Sequence, residues 1–215
     1  MGKPGLAIFD CDGVLVDSMD VAFSVSREMA AELGITLTFA EHERSFGTRD
    51  SDMFNDLAVR HGVALPVGFL ERVEARKMVR YREGVPVMAG ALHAVRRIAG
   101  AGVALCVASS ATTERTRVKL EPVGLLEYFG EHVFTAYDVA KGKPAPDVFL
   151  HAAATMGFAP GDCVVIEDAA AGVQAAMAAG MRVLGYAPKG DRQGLSDMGA
   201  DVFVSMAEVP GLIGL

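Results

Sequence analysis

Two aspartates stand one residue apart, directly after an apolar run near the N-terminus. The run Leu6–Phe9 is followed by Asp10 and Asp12, and Gly13 comes next. Burying two carboxylates this close together costs free energy, because each opposes the ionisation of the other. A bound cation would remove that cost and leave one carboxylate available for chemistry. The pair therefore points to metal-assisted phosphoryl transfer.

The two carboxylates are suited to different tasks. Asp10 is the candidate nucleophile, because a carboxylate that attacks phosphorus divides one difficult displacement into two easier ones. Asp12 is the candidate acid and base, which holds a proton at the start of the cycle, gives it to the leaving alkoxide and later takes one from water. Gly13 would let the chain turn so that Asp12 faces the leaving group. The alternatives are an aspartate-rich turn, or a calcium loop that lacks its closing glutamate.

Two later segments offer groups that bind phosphate. Ser109 and Ser110 precede a predicted helix that begins near Thr112, and a hydroxyl beside the free N–H groups of a helix start suits a phosphate. Lys143, in a proline-rich loop, would neutralise the nucleophile and the transferring phosphoryl group. Each also has an ordinary alternative, a helix cap for the serines and a solvated surface position for the lysine.

A further acidic pair, Glu167 and Asp168, follows another apolar run and supplies the acidic side of a magnesium site. Mg²⁺ takes oxygen ligands and keeps several waters, so one or two carboxylates plus a substrate phosphate suffice. The predicted ligands are Asp10, Asp12, Glu167 and Asp168. We expect Asp168 to bind the metal directly, and Glu167 to bind it directly or through a water. Asp168 could equally cap the helix that follows it.

Short apolar runs alternate with helix-like stretches from residue 89 onward, which predicts an α/β sheet of parallel strands. The predicted strands are Leu6–Asp10, Val103–Ser109, Val133–Thr135, Val164–Asp168, Arg182–Tyr186 and Asp201–Val204. The predicted helices are Ala91–Ala99, Thr113–Glu121, Asp147–Met156 and Ala170–Ala179. Because ligands of such sheets bind beyond the carboxyl ends of the strands, the polar groups described above should converge on one edge.

The stretch after the first strand differs from the rest of the chain. Residues 18–83 have helical periodicity, many charges and no convincing strand. We therefore predict a core domain of residues 1–17 and 84–215, and a helical cap of residues 18–83 inserted into it. The crossings near residues 16–19 and 82–87 would serve as hinges.

The order of these motifs resembles the haloacid dehalogenase (HAD) superfamily of phosphohydrolases over nearly the whole chain. The resemblance implies a Rossmann-like parallel sheet core with an inserted α-helical cap, and a Mg²⁺ cofactor. It also implies a nucleophile at Asp10, an acid/base at Asp12, phosphoryl binding by Ser109 and Lys143, and a metal held by Glu167 and Asp168. One departure is Ala169, where relatives often have serine.

Two branches of the family look closest, small sugar-phosphate phosphatases and β-phosphoglucomutase. The segment Phe46–Asp50 resembles the mutase cap loop, which implies substrate contacts from Gly47 and Arg49. Lys77 stands where a cap lysine is expected, Arg76 beside it is a second candidate, and Ser110 completes the predicted substrate site. The mutase carries a histidine in its first cap helix, whereas residues 18–24 contain none. A hydrolase is therefore favoured, for a sugar phosphate or a sugar-acid phosphate such as 6-phosphogluconate, with the mutase as the alternative.

A non-enzymatic module is the remaining alternative. Receiver domains also carry an acidic pair, a hydroxyl and a lysine, but in a different order along the chain. The net charge of −7 argues against a nucleic-acid surface, and no apolar run approaches membrane-spanning length. Three cysteines without paired spacing and the absence of a signal-like run predict a cytoplasmic protein. We expect a monomer or homodimer, and a small phosphorylated metabolite as its partner. The five histidines are expected to pack or to face solvent.

Overall fold

Six parallel strands form one sheet in the computed structural model, which describes residues 2–189 and 192–215. The strand order is β3-β2-β1-β4-β5-β6. The strands are β1 (Leu6–Phe9), β2 (Ala104–Ser109), β3 (Val133–Thr135), β4 (Cys163–Glu167), β5 (Arg182–Tyr186) and β6 (Asp201–Phe203). The predicted α/β class with a parallel sheet is confirmed. β1 ends one residue earlier than predicted, so Asp10 begins the loop after the strand.

Helices cover both faces of the sheet. They are α1 (Met19–Glu32), α2 (Phe39–Glu43), α3 (Asp50–His61), α4 (Phe69–Arg82), α5 (Ala91–Gly100), α6 (Thr113–Leu120), α7 (Leu126–Phe129), α8 (Asp147–Met156), α9 (Ala170–Ala178), α10 (Arg192–Asp197) and α11 (Val209–Leu212). Across the described residues, none of these helices has the length and apolar character needed to cross a membrane.

The alternation of side chains along β1 divides the core into two layers. Ala7 and Phe9 pack in a cluster that includes residues of α5, α6, α7 and α11. Leu6 and Ile8 pack in a second cluster with residues of α8, α9 and α10. Since successive side chains of a strand point to opposite faces, a central strand buried on both faces is apolar throughout.

The four helices α1–α4 occupy residues 19–82 and share an apolar cluster of their own, which includes Val25, Phe54 and Phe69. The two chain crossings that connect this helical segment to the sheet pair with each other: the Asp17 N–H donates to the Pro86 carbonyl at 2.8 Å. We call α1–α4 the cap, and the boundaries 18–83 remain a prediction.

Candidate active site

Three predicted site residues lie at the ends of neighbouring strands. Asp10 follows β1, Ser109 is the last residue of β2, and Glu167 is the last residue of β4. β2 and β4 flank β1 on its two sides, so the parallel topology brings all three to one edge of the sheet. Lys143 reaches the same place from the loop before α8.

Lys143 lies at the centre of this edge and is completely buried. Its ammonium donates to Asp10 Oδ1 at 2.5 Å, to Glu167 Oε1 at 2.7 Å and to the Ala108 carbonyl at 3.1 Å. Burial alone would lower the pKa of Lys143. The two carboxylates raise it by more than burial lowers it, so the pKa lies above its usual value. The lysine is therefore held in its charged form against the candidate nucleophile.

Glu167 is fully buried and does not line the cavity described below. Its Oε1 accepts from Lys143, and its Oε2 accepts from the backbone N–H groups of Asp168 and Ala169. A Cβ at Gly172, in the first turn of α9, would overlap this carboxylate. Both oxygens are thus engaged in holding Lys143 and the helix start, and the structure does not bring Glu167 to the cavity as a metal ligand.

Asp168, in contrast, lines the cavity together with Asp10. Its carboxylate lies against the backbone of Gly13, where φ is +83° and a Cβ would overlap Asp168 Oδ2. Burial, followed by the charges of Glu167 and Asp10, raises the pKa of Asp168 well above its usual value. Burial also raises the pKa of Asp10 to about 7, although Lys143 opposes the shift.

The raised pKa values of Asp10 and Asp168 indicate whether a metal cation would fit the site. Asp10 shares its only basic contact in the described residues, Lys143, with Glu167, and Asp168 has no ion-pair partner among the same residues. Two buried carboxylates with this little compensation suit a divalent cation, which lowers the pKa of its ligands. Among residues 2–189 and 192–215, no group of three acidic, histidine or cysteine side chains is arranged to hold a metal. Two carboxylates match the small number of protein ligands typical of Mg²⁺.

Asp12 has a partner that the motifs did not predict. Lys119 of α6 donates to Asp12 Oδ1 at 2.5 Å and to Oδ2 at 2.6 Å, and the Ser18 hydroxyl also donates to Oδ1. Burial acts to raise the pKa of Asp12, but Lys119 and Ser18 outweigh it, so the pKa lies below its usual value. The predicted starting state, a protonated Asp12, therefore disagrees with the electrostatics of the pair, because the buried Lys119 lies outside the motifs from which that state was inferred. The side chain of Asp12, predicted as a metal ligand, is thus already engaged by Lys119 and Ser18.

The two serines after β2 have different surroundings. Ser109 is fully buried, and its hydroxyl oxygen accepts from the Ala111 N–H at 3.1 Å. Ser110 lines the cavity and donates to the carbonyl of Gly47 at 2.6 Å. Gly47, predicted from the cap loop, is thus joined to the core by a direct hydrogen bond.

Arg49 also joins the cap to the core. Its guanidinium donates to the Ala136 carbonyl and, at 3.0 Å, to the Val139 carbonyl in the loop after β3. The guanidinium lies 5.6 Å from the centre of the Tyr137 ring. Arg49 lines the cavity and is fixed to the core backbone, and its contact with substrate stays a prediction.

A chain of four charges completes the cap–core boundary. Lys77 donates to Asp50 Oδ1 at 2.6 Å, and Arg115 of α6 donates to Asp50 Oδ2 at 2.6 Å and to Glu74 Oε2 at 2.8 Å. The Thr112 hydroxyl also donates to Glu74, at 2.8 Å. The predicted cap lysine is therefore at the cavity, but its charge is compensated by Asp50.

The cavity between cap and core has a volume of about 80 Å³. It is lined by seven predicted site residues, namely Asp10, Asp12, Gly47, Arg49, Lys77, Ser110 and Asp168. Ser109, Lys143 and Glu167 lie behind them.

Several residues at the site escaped the sequence analysis. His42 is buried against Phe23 and Phe46, a packing position as expected for the histidines, and it also lines the cavity, which the motifs did not indicate. Lys119 and Arg115 stand four residues apart, a spacing that places them on one face of α6 and that could have identified them. Arg76, the second candidate for substrate binding, instead pairs with Glu32 at 2.8 Å on the cap surface.

Comparison with known proteins identifies the family to which this arrangement belongs. A family model described as haloacid dehalogenase-like hydrolase matches residues 5–180. The chain belongs to this family. The resemblance inferred from the motifs is thereby confirmed, and the protein is an enzyme, a hydrolase. The motif residues Asp10, Lys143 and Asp168 all lie within the matched range.

Relatives of this haloacid dehalogenase-like hydrolase include both branches considered from the sequence. The chain is 27% identical to a 6-phosphogluconate phosphatase of Escherichia coli K12, over 99% of this chain and 96% of the relative. It is 29% identical to a β-phosphoglucomutase of Bacillus subtilis 168, over 92% of this chain and 87% of that relative. A solved HAD family hydrolase from Deinococcus radiodurans R1, with bound phosphate and sodium, is 33% identical and superposes with a TM-score of 0.75 over 100% of this chain and 99% of that chain.

Proposed function

We propose that this hydrolase is a Mg²⁺-dependent phosphatase that acts through an aspartyl-phosphate on Asp10. Its substrate is a small phosphorylated metabolite, a sugar phosphate or a sugar-acid phosphate such as 6-phosphogluconate. The observation that carries the proposal is the contact of 2.5 Å between the buried Lys143 ammonium and Asp10 Oδ1, beside a cavity lined by residues of both cap and core. The phosphatases among the relatives support the same reaction class.

In the first step the Asp10 carboxylate attacks phosphorus, and the bond from phosphorus to the leaving oxygen breaks. Lys143 holds Asp10 in place and offsets negative charge on the transferring group. Glu167 keeps Lys143 in position from behind, because its other oxygen is fixed by backbone N–H groups. The nucleophile is thus oriented directly by the loop before α8 and, through Lys143, by the end of β4.

Asp12 moves the proton in this scheme. Lys119 and Ser18 hold its carboxylate at the cavity. A dianionic phosphoryl group that arrives beside Asp12 raises its pKa, because a neighbouring negative charge disfavours the ionised form. Asp12 takes up a proton from solvent as the ester binds, gives this proton to the leaving oxygen, and later accepts a proton from the water that attacks the phosphorus of the aspartyl-phosphate. Inorganic phosphate leaves, and Asp10 is regenerated.

Asp10 and Asp168 would hold the Mg²⁺, and Gly13 permits the close approach of Asp168 to the loop that carries Asp12. When bound, the cation would supply positive charge to the phosphoryl oxygens. Asp10 and Lys143 are both buried, which strengthens the electrostatic contact between them.

Hydrolysis is favoured over a mutase reaction by the first cap helix. Ser18, Met19 and Ala22 are the residues from that stretch at the cavity, and none of them is a general acid or base. No group from this stretch would therefore help a sugar hydroxyl to compete with water. Supplying β-glucose 1-phosphate with a bisphosphate primer tests the alternative: phosphate release supports the phosphatase, and formation of glucose 6-phosphate supports the mutase.

A screen of phosphorylated sugars, alditols and sugar acids, with inorganic phosphate as the readout, tests the proposal directly. We expect phosphate release with Mg²⁺, loss of release after chelation with EDTA, and recovery when Mg²⁺ is restored. The Asp10→Asn variant, which is isosteric, should be folded and inactive. Undiminished activity of this variant would refute the assignment of the nucleophile.

A further inference from the structure

Tyr81, in the last turn of α4, is a cap residue that reaches the core beside the partner of Asp12. It is 2% exposed, and it lines the cavity between cap and core. Its ring packs in the same apolar cluster as Val14 and Leu15 of the loop after β1. The centre of the ring lies 5.1 Å from the ammonium of Lys119, which donates to both carboxylate oxygens of Asp12. Tyr81 therefore brings a hydroxyl into the neighbourhood of the candidate acid/base.

The hydroxyl of Tyr81 has no hydrogen-bond partner among the described residues. The two carboxylates whose charges act on it, Asp12 and Asp50, are already bound to basic side chains. A buried hydroxyl that lacks a partner costs free energy, so a ligand that brings an acceptor to this position is favoured. The hydroxyl is therefore available to a molecule that occupies the cavity.

This hydroxyl is a neutral hydrogen-bond donor. Burial raises the pKa of Tyr81 above its usual value, and the charge of Lys119 only partly opposes that rise. The phenol is therefore protonated at neutral pH. A protonated phenol can donate a hydrogen bond to an oxygen that gains negative charge, and it keeps its own proton while doing so.

The position of Tyr81 relative to the two motif aspartates indicates which substrate oxygen it can reach. In phosphoryl transfer, the attacking and leaving oxygens lie roughly in line on opposite sides of phosphorus. Asp10 attacks in the proposed mechanism, and Asp12 must contact the leaving oxygen in order to protonate it. The charges with the largest effect on the pKa of Tyr81 include Lys119 and Asp12, and do not include Asp10. Tyr81 is thus on the side of the leaving group.

Resting on the proposed phosphatase function, we propose that Tyr81 is a further catalytic residue, whose hydroxyl donates a hydrogen bond to the leaving oxygen of the ester. When the bond from phosphorus to this oxygen breaks, its electron pair moves onto the oxygen. The hydroxyl stabilises the negative charge that develops there. Asp12 supplies the proton that the leaving oxygen takes up, and Tyr81 keeps its own.

The proposed contact should matter most for esters with strongly basic leaving groups. An alkoxide, such as that of a sugar phosphate, needs both a proton and a hydrogen-bond donor as it leaves. p-Nitrophenolate is a weak base that spreads its charge over the ring, so it gains much less from either. A comparison of the two classes of ester therefore distinguishes a contact with the leaving oxygen from a structural role of the same hydroxyl.

Tyr81→Phe is the test variant, because it removes the hydroxyl and keeps the ring on Lys119. The parameter is kcat/KM, which reports the steps up to departure of the leaving group. We expect kcat/KM to fall by about tenfold or more for the best alkyl phosphate of the screen. For p-nitrophenyl phosphate it should fall by less than about threefold. The pH profile of kcat/KM should keep its shape, since Asp12 retains its lysine partner.

Tyr128→Phe is the matched control. Tyr128 lies outside the cavity lining, and its hydroxyl accepts a hydrogen bond from Arg96 at 2.9 Å. This variant should change kcat/KM by less than about twofold for both classes of ester. Circular dichroism checks that each variant is folded before the kinetic values are compared.

The outcomes separate this inference from the function on which it rests. A folded Tyr81→Phe variant that loses kcat/KM equally for both classes of ester, or loses none, overturns the inference alone. A shifted pH profile in this variant does so too, because it would show that the hydroxyl acts through Asp12 rather than on the substrate. Absence of phosphate release from every alkyl ester with the wild-type enzyme overturns the proposed function, and the inference with it.

Discussion

Lys119 donates to both carboxylate oxygens of Asp12, at 2.5 and 2.6 Å, although the two residues are 107 positions apart in the chain. The lysine is 1% exposed, and its ammonium lies 5.1 Å from the centre of the Tyr81 ring. Burial acts to lower the pKa of Lys119, but Asp12 raises it above its usual value. The candidate acid/base is therefore held in place by a permanent positive charge on α6, a helix of the core.

Replacing this lysine should impair the chemical step. Lys119→Met keeps a long apolar stem but releases Asp12, so we expect kcat to fall by about a hundredfold, an effect typical of a misplaced acid/base group. KM should change much less, because the lysine does not line the cavity. Arg117→Met, on the same helix with an exposed partner, is the control and should keep wild-type kcat. A wild-type kcat in Lys119→Met would contradict the positioning role.

The two motif acids after β4 should respond differently to magnesium. Asp168→Asn removes a carboxylate at the cavity and should raise the Mg²⁺ concentration for half-maximal activity by about tenfold or more. Glu167→Gln should lower kcat with little change in the Mg²⁺ requirement, because Glu167 holds Lys143 and the start of α9. Activity measured across a magnesium titration distinguishes the two effects. Equal shifts in both variants would show that Glu167 is also a ligand.

Gly13 should be intolerant of substitution for two reasons. Its φ of +83° strains any other residue, and a Cβ there would overlap Asp168. Gly34 has a similar φ of +75° but open space around it, so Gly34→Ala is a matched control for the strain alone. We expect Gly34→Ala to lower the free energy of unfolding by about 1 kcal/mol with activity retained. Gly13→Ala should in addition lower kcat. Equal activity in the two variants would argue against the close approach of Asp168 to Gly13.

His42 should make the protein less stable at mildly acidic pH. Its pKa of about 4 in the folded state lies below the unfolded value of about 6.5, so the unfolded chain binds a proton that the folded protein does not in this window. The free energy of unfolding therefore falls as the pH drops from about 6.5 to 4, by about 2 kcal/mol at pH 5. Urea unfolding at pH 8 and pH 5 should show that the free energy of unfolding falls less between these pH values for His42→Gln than for wild type. His93→Gln, at an exposed position, should behave as wild type.

Much of the core could be predicted from sequence because its strands are buried on both faces. Such strands are continuous apolar runs, and a polar residue marks the carboxyl end of several of them, as Ser109 does for β2. The topology then brings the marked ends together without further information. Lys143 follows from its motif, and its burial is explained by the two carboxylates that it contacts.

Other parts of the site depend on tertiary placement. Arg115 and Lys119 occur in a charged helix that reads as solvated, and only the docking of the cap and of the β1 loop shows that both are buried. Asp50 of the cap is held by Arg115, which belongs to a distant segment of the chain. Glu167 and Asp168 are adjacent, yet the backbone turn after β4 directs one to Lys143 and the other to the cavity. The order of residues in the sequence does not predict that these two adjacent side chains point to different places.

The central claim, covalent catalysis by Asp10, is tested most directly by trapping the phosphorylated enzyme. A radiolabelled ester from the substrate screen is mixed with the enzyme, the reaction is quenched in acid within one turnover, and the labelled peptide is identified. Borohydride reduction of the acyl phosphate then marks the modified side chain for mass spectrometry. The proposed mechanism predicts label and reduction at Asp10 in wild type, and neither in Asp10→Asn. A burst of phosphate release without label on Asp10, or with label on another residue, would contradict it.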